Sequence, residues 1–152
     1  MEIIKSLKDS EYPKAALYNA RIAARGVCLN AKGEIALTHI LATDKFGHRD
    51  YYELPGGGKR INETVLESAI REMDEELGVK VELLAKIGII HDFYNLIKQE
   101  NYSYYYLFKV TKVGQRHFEE RESRLIDKIV WVPIQKAILL YKEQLKIKGV
   151  GL

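Results

Sequence analysis

Three consecutive glycines, Gly56-Gly57-Gly58, lead into a segment whose apolar residues Leu66, Ala69, Ile70, Met73 and Leu77 recur at helical spacing. Asn62 is placed to cap this helix, Glu63 and Glu67 stand in its early turns, and Gly78 follows its last apolar residue as a stop. On a wheel advancing 100° per residue, Glu72 and Glu76 flank the apolar stripe and Glu75 lies farther round. Glu72 and Glu76 are four apart and Glu72 and Glu75 three apart, so their like charges repel. Three carboxylates crowded beside a buried stripe need neutralising, and a hard divalent cation such as Mg²⁺ or Mn²⁺ does so. A glycine-rich turn entering a helix is also a phosphate site, which puts Gly56, Gly57 and Gly58 beside a substrate phosphate. Together these residues point to metal-assisted chemistry on a polyphosphate.

The rest of the chain supplies one domain to carry this cassette. Its 152 residues are 47% hydrophobic and 30% charged, without a repeat or linker, and are read as a single domain over 1–152. Residues 20–30 and Glu34–Leu41 read as strands around a Lys32-Gly33 turn, and Thr43–Tyr51 as a polar loop. Val79–Ile90, broken by Gly88, and Tyr102–Val110 also read as strands, as does Ile129–Val132, while Pro133 opens a helix over Ile134–Leu145. Strands, a helix, strands and a second helix give an α+β fold with helices on a mixed sheet. A formal charge of +3 does not indicate a nucleic-acid binder. One cysteine excludes an intrachain disulfide, and no stretch approaches the roughly 20 apolar residues of a membrane span. The expectation is a soluble, cytoplasmic protein, with a homodimer compatible with the sequence.

The stretch from Gly57 to Val79 resembles the Nudix box, the signature of the Nudix hydrolase family: Gly, five residues, Glu, seven residues, Arg-Glu-apolar-any-Glu-Glu-any-Gly-apolar. Gly57, Glu63, Arg71, Glu72, Met73, Glu75, Glu76, Gly78 and Val79 fill every specified position. Such a match arises by chance in roughly one per 10⁹ to 10¹⁰ windows at average residue usage. Tyr52-Glu53-Leu54-Pro55-Gly56-Gly57 and Trp131-Val132-Pro133 are similar to the family as well. The resemblance implies an α/β/α sandwich, a mixed sheet flanked by helices. It implies hydrolysis of a nucleoside diphosphate linked to another moiety, with Glu72, Glu75, Glu76 and the Gly56 carbonyl as metal ligands. Arg71 would orient carboxylates by ion pairing, and Glu63 would be a supporting acid.

Within that reading a nucleoside triphosphate or related nucleotide is the favoured substrate. Tyr94 and Asn95 stand where ADP-ribose-cleaving subfamilies carry a proline. A Nudix-fold binding domain without turnover is the alternative, and the intact glutamate set argues against it. The general base is expected in the segment 114–127, at Glu119 and then Glu120, with Glu122 near neutral; solvated loop charge is the competing reading, and Glu75 itself or a metal-bound hydroxide the fallback. Arg25 and Arg21 can meet a phosphate or ribose, or be surface charge. Tyr102, Tyr104, Tyr105 and Tyr106 can stack a base, the first, second and fourth on one strand face and Tyr105 with Leu107 on the other, although core packing is favoured; Tyr94, Phe93 and Phe46 are weaker candidates. His39, His48, His91 and His117 lack metal-ligand spacing, and Cys28 reads as a buried apolar residue.

Overall fold

The computed structural model describes residues 1–44, 47–115 and 126–145. The elements are β1 (Ile3–Leu7), β2 (Asn19–Leu29), β3 (Glu34–Asp44), β4 (Gly47–Glu53), β5 (Gly56–Gly58), α1 (Val65–Glu72), β6 (Val79–Tyr94), β7 (Gln99–Val113), β8 (Ile126–Pro133) and α2 (Ile134–Leu145). A π-helical turn, Met73–Leu77, continues α1, and a 3₁₀ turn, Asn95–Ile97, joins β6 to β7. The sheet runs β1-β6-β7-β2-β3-β4, with β5 added to β2 and β8 to β3. β1 on β6 and β2 on β7 are parallel, and the remaining pairs are antiparallel, so the sheet is mixed.

Strand alternation assigns the two faces. Ala24 and Cys28 of β2, Ala36 of β3, and Tyr106 and Phe108 of β7 pack against Ala69, Met73 and Leu77. Ile35, Leu37 and Val132, with Val27 and Leu29 beside them, pack against Ala137 of α2. A helix therefore lies on each side of the sheet, as the sequence implied. β2 and β3 pair only through Leu29 and Ile35. Beyond that point β4 runs beside β3 and β5 beside β2, and the chain passes from one to the other at Leu54–Pro55. The Pro55 carbonyl accepts from the Gly26 N–H at 3.0 Å, which pins this crossing to β2.

Several boundaries differ from the sequence reading. Of Thr43–Tyr51, residues 43–44 and 47–51 are strand rather than loop, and 45–46 lie outside the described residues: Ala42 pairs with Arg49 and Thr43 with His48. β4 ends the sheet, so its polar residues meet water and leave no apolar alternation to detect. β6 continues through Gly88 to Tyr94 by shifting register around that glycine. The cap of α1 is Thr64, not Asn62. Thr64 Oγ1 accepts from Glu67 N–H at 3.1 Å while Glu67 Oε1 accepts from Thr64 N–H at 2.9 Å. Strand β1 carries no sequence pattern that announced it.

Met73 is fully buried under the sheet and fills the space above Gly26. Met73→Ala is expected to cost roughly 2–5 kcal/mol of stability, read from urea unfolding midpoints at unchanged slope.

Candidate active site

The glycine strand and the end of α1 are built against each other. Gly56, Gly57 and Gly58 pair with Arg25, Ala24 and Ala23 of β2. Gly56 has φ +149°, and a side chain there would run into the Ala24 carbonyl and Arg25. A Cβ on Gly57 would stand 2.5 Å from Glu72 Oε1. Glycine is thus required at both positions, in one case by conformation and in the other by the carboxylate pressed against the backbone. From the opposite side the Gly56 N–H donates to Glu76 Oε2 at 3.0 Å.

Glu72, Glu75 and Glu76 are all buried. Arg71 links them to their support: its Nη1 donates to Glu72 Oε1 and Glu75 Oε2, each at 3.1 Å, and its Nη2 donates to the Gly58 carbonyl at 3.3 Å. Its Nε donates to Glu63 at 2.8 and 3.1 Å, and Ser68 Oγ donates to the same carboxylate at 2.8 Å. Arg60 lies 3.6 Å from the other oxygen of Glu75. Burial opposes the charge on Arg71, but the hydrogen bond to Glu63 and the fields of Glu72 and Glu75 hold its pKa above the ordinary value. The Arg71 bond, with Ser68 assisting, depresses Glu63 against a smaller opposing cost of burial. Burial, followed by the charge of Glu72, raises Glu76 well above the carboxylate range; Arg25 and the Gly56 N–H pull the other way.

The wheel that set Glu75 away from the buried stripe assumed a uniform α-helix. The chain instead widens into the π turn at Met73, so the angular step shrinks where Glu75 and Glu76 lie. Gly78, with φ 68°, closes that turn.

Among the described residues no three acidic, histidine or cysteine side chains converge as a ready-made metal cage. The donor chemistry nevertheless fits a hard divalent cation. Three buried carboxylates share one helix end, one of them driven toward its protonated form by burial and its neighbour, and arginines cover the other two.

Arg25 lies behind the glycine strand rather than on the surface. Its Nη1 donates to the Leu54 carbonyl at 2.8 Å and stands 3.5 Å from Glu53. Burial works against its charge, and Glu53, the phenol of Tyr105 and Glu76 more than offset this. Tyr105 is Arg25's register partner on β7; burial raises its phenol, as it does those of Tyr51 and Tyr141. Tyr51 was not singled out in the sequence, whereas Tyr105, a base-stacking candidate there, meets Arg25 as its register partner on β7.

Tyr104 and Tyr106 pack into the core under α1. Tyr102 stacks on His91 at 4.6 Å and donates its hydroxyl to Glu100 at 3.2 Å. Phe93 packs edge-on to His91 and against Tyr18. His39 is held between Asp50 at 2.6 Å and Asp127 at 3.0 Å, and His48 bonds Thr43. Cys28 is buried and its thiol is pushed up to about 12 by burial, which makes it a packing residue. Phe46, His117, Glu119, Glu120 and Glu122 lie outside the described residues.

A family model for the NUDIX domain matches residues 19–149. No curated protein matches the chain significantly. Among solved structures, the chain resembles a NUDIX hydrolase from Nitrosomonas europaea with TM-score 0.67 and 14% identity, over 82% of this chain and 79% of that one. It resembles the MutT protein from Methanosarcina mazei with TM-score 0.63 and 18% identity, over 90% and 88%. It also resembles an ADP-ribose pyrophosphatase from Streptococcus suis with TM-score 0.52 and 14% identity, over 76% and 75%. At these identities the structural likeness shows the fold. No helix among the described residues is long and apolar enough to cross a membrane.

A carboxyl raised on folding stabilises the protein below its unfolded pKa, and that contribution is lost as pH rises through the folded value. Glu76 is such a group; Glu63, depressed by Arg71, acts in the opposite sense and loses its contribution on the acid side. The chelated protein is therefore expected to lose stability above the ordinary carboxylate range, and Glu76→Gln to flatten that slope. Urea midpoints between about pH 4 and 8 in excess chelator check this. A slope unchanged in the variant places the burial cost elsewhere.

Proposed function

This chain belongs to the Nudix hydrolase family, and from that premise we propose that it hydrolyses a pyrophosphate bond in a nucleoside diphosphate linked to another moiety. The substrate proposed is a nucleoside triphosphate or related nucleotide, and the cofactor is Mg²⁺, with Mn²⁺ able to replace it. The observation that carries this reading is the burial of Glu72, Glu75 and Glu76 at one helix end, against the Gly57 backbone and under Arg71.

Glu72, Glu75, Glu76 and the Gly56 carbonyl would hold the metal. When bound, a divalent cation lowers the pKa of a water and screens phosphate charge. The protein's own contribution is mostly position and field, as phosphoryl transfer requires. Arg71 fixes Glu72 and Glu75 by shared hydrogen bonds from one nitrogen. Gly57 and Gly58 allow a phosphate close to the backbone, and Arg25 sets a buried positive charge behind them. Tyr105 and Tyr51, beside Arg25 and Glu53, give the nucleoside an aromatic wall. For the general base the proposal is Glu119, then Glu120, with Glu75 itself or a metal-bound hydroxide as the fallback. The partner is thus a nucleotide-type small molecule.

Hydrolysis of a nucleotide panel, followed by phosphate or pyrophosphate release, is expected to vanish in excess chelator and return with Mg²⁺ or Mn²⁺. Glu75→Gln is expected to lower turnover by at least about 10²-fold while near-ultraviolet dichroism stays unchanged. Turnover that persists in chelator, or a folded Glu75→Gln variant with parental rates, refutes the metal assignment. Glu119→Gln is expected to lower kcat by about 10² or more without changing metal affinity, and Glu122→Gln to be near neutral.

A further inference from the structure

Among the described residues, His39 is the histidine with a carboxylate on each of its ring nitrogens. It stands in β3 between β4 and β8, on the face that Ile35 and Leu37 turn toward α2. Its register partner on β4 is Tyr52, and Asp50, two residues away, shares that face. Nε2 lies 2.6 Å from Asp50 Oδ1. On β8 its register partner is Lys128, so in an unbroken ladder Asp127 would point to the other face. The ladder slips here: His39 pairs with Lys128 and Ile40 with Ile126, which leaves Asp127 without a partner of its own. Such a bulge re-aims a side chain, and this one brings Asp127 Oδ2 to 3.0 Å from Nδ1.

The two bonds together set a condition on the proton. A neutral imidazole carries one N–H and one bare lone pair. Between two carboxylates it donates to one and turns its lone pair on the other, whereas the imidazolium donates to both. The side chain of His39 is 11% exposed, so water substitutes poorly for a lost partner. From β4 the ring also meets the Tyr52 ring, tilted at 4.7 Å, and farther along that strand His48 bonds Thr43. From β8 it meets Asp127 and, across the register, the exposed Lys128. The residues that α2 turns to this layer, Ala137, Leu140, Tyr141 and Gln144, carry no charge, and Gln144 is engaged on the Tyr52 backbone. Two close carboxylates thus stand against one exposed ammonium around this ring.

We propose that His39 is a proton-operated strap. As an imidazolium it ties β4 and β8 together across β3; on losing its proton it keeps Asp50 and releases Asp127. The shorter bond, to Asp50, decides which partner is kept. The strap contributes while the ring is charged and is lost as pH rises and the ring gives up its proton. β8 runs through Pro133 directly into α2, and α2 holds the Tyr52 backbone of β4 through Gln144. Release of Asp127 therefore reaches α2, whereas β6 and β7 lie beyond β2 and take no part in the strap.

The test needs neither substrate nor metal, so its outcome is independent of the hydrolase reading. Nitrogen-15 spectra of the full chain follow the two ring nitrogens of His39, and backbone amide exchange is measured in the same samples from about pH 5 to 8, the span in which histidine titrates. With the intrinsic pH dependence of exchange divided out, the β8 amides bonded to β3 are expected to exchange about fivefold faster once the ring is neutral, the scale of one partly exposed charged pair. Amides between β6 and β7 are expected to stay unchanged. Asp127→Ala, at an exposed position, is expected to exchange at the fast β8 level throughout, without a step, and His48→Gln to keep the parental step. A slow β8 level in Asp127→Ala overturns the strap. So does parental β8 exchange that ignores the protonation of a titrating ring, a step that disappears in His48→Gln, or a ring already neutral at the acid end of the series.

Discussion

The guanidinium of Arg71 is the interaction on which the rest of the site depends. Three carboxylates within five residues of helix would not stay buried together on their own. Each loses hydration and each repels the others. Arg71 answers with every nitrogen engaged, to Glu63, to Glu72 and Glu75, and to the Gly58 carbonyl. Its position is in turn set by Glu63, which Ser68 holds from a fully buried place in α1. A buried ion pair of this kind adds little net stability compared with apolar packing, yet losing one partner strands the others at high cost. What it secures is orientation, with the acids of the helix and the backbone of the glycine strand fixed by one planar cation.

Two packing requirements frame that cation. Below α1, Met73 sits over Gly26 and against Phe108 with no room for an added methyl. At the end of α1, Gly57 leaves no room for a side chain between the strand and Glu72. The helix is thus positioned by contacts that have no slack in either place. Thr64 and Glu67 close its first turn and Gly78 its last, so the π turn is confined between fixed ends.

Much of this was legible in the sequence because local rules carry it. The period of Leu66, Ala69 and Met73, the spacing of the glutamates and the glycines ahead of them state a helix, its buried face and a charge problem. The same locality explains the errors. A uniform helical wheel cannot show the widened turn that alters where Glu75 points, and a polar strand at the sheet edge has no apolar rhythm, which is why β4 read as a loop. Residues that matter through distant contacts were silent. Tyr51 comes beside Arg25 only through the folded sheet, and Arg21 differs from Arg25 only in what the fold sets beside it.

The parallel pairing of β2 with β7 sets an order of assembly. These strands begin at Asn19 and Gln99 and match residue for residue along eleven pairs. Chain closure across so much intervening sequence is entropically expensive, while the β6–β7 hairpin and α1 form from neighbours. β2 also carries the glycine strand on its other edge. Joining β2 to the β6–β7 hairpin therefore closes a long loop, and joining β3 to β8 a longer one. Until that happens, the helix has no completed sheet to bury its acids against. The nascent chain must emerge at least as far as β7 before this step can begin, so the charge cluster stays hydrated during most of synthesis and is desolvated late.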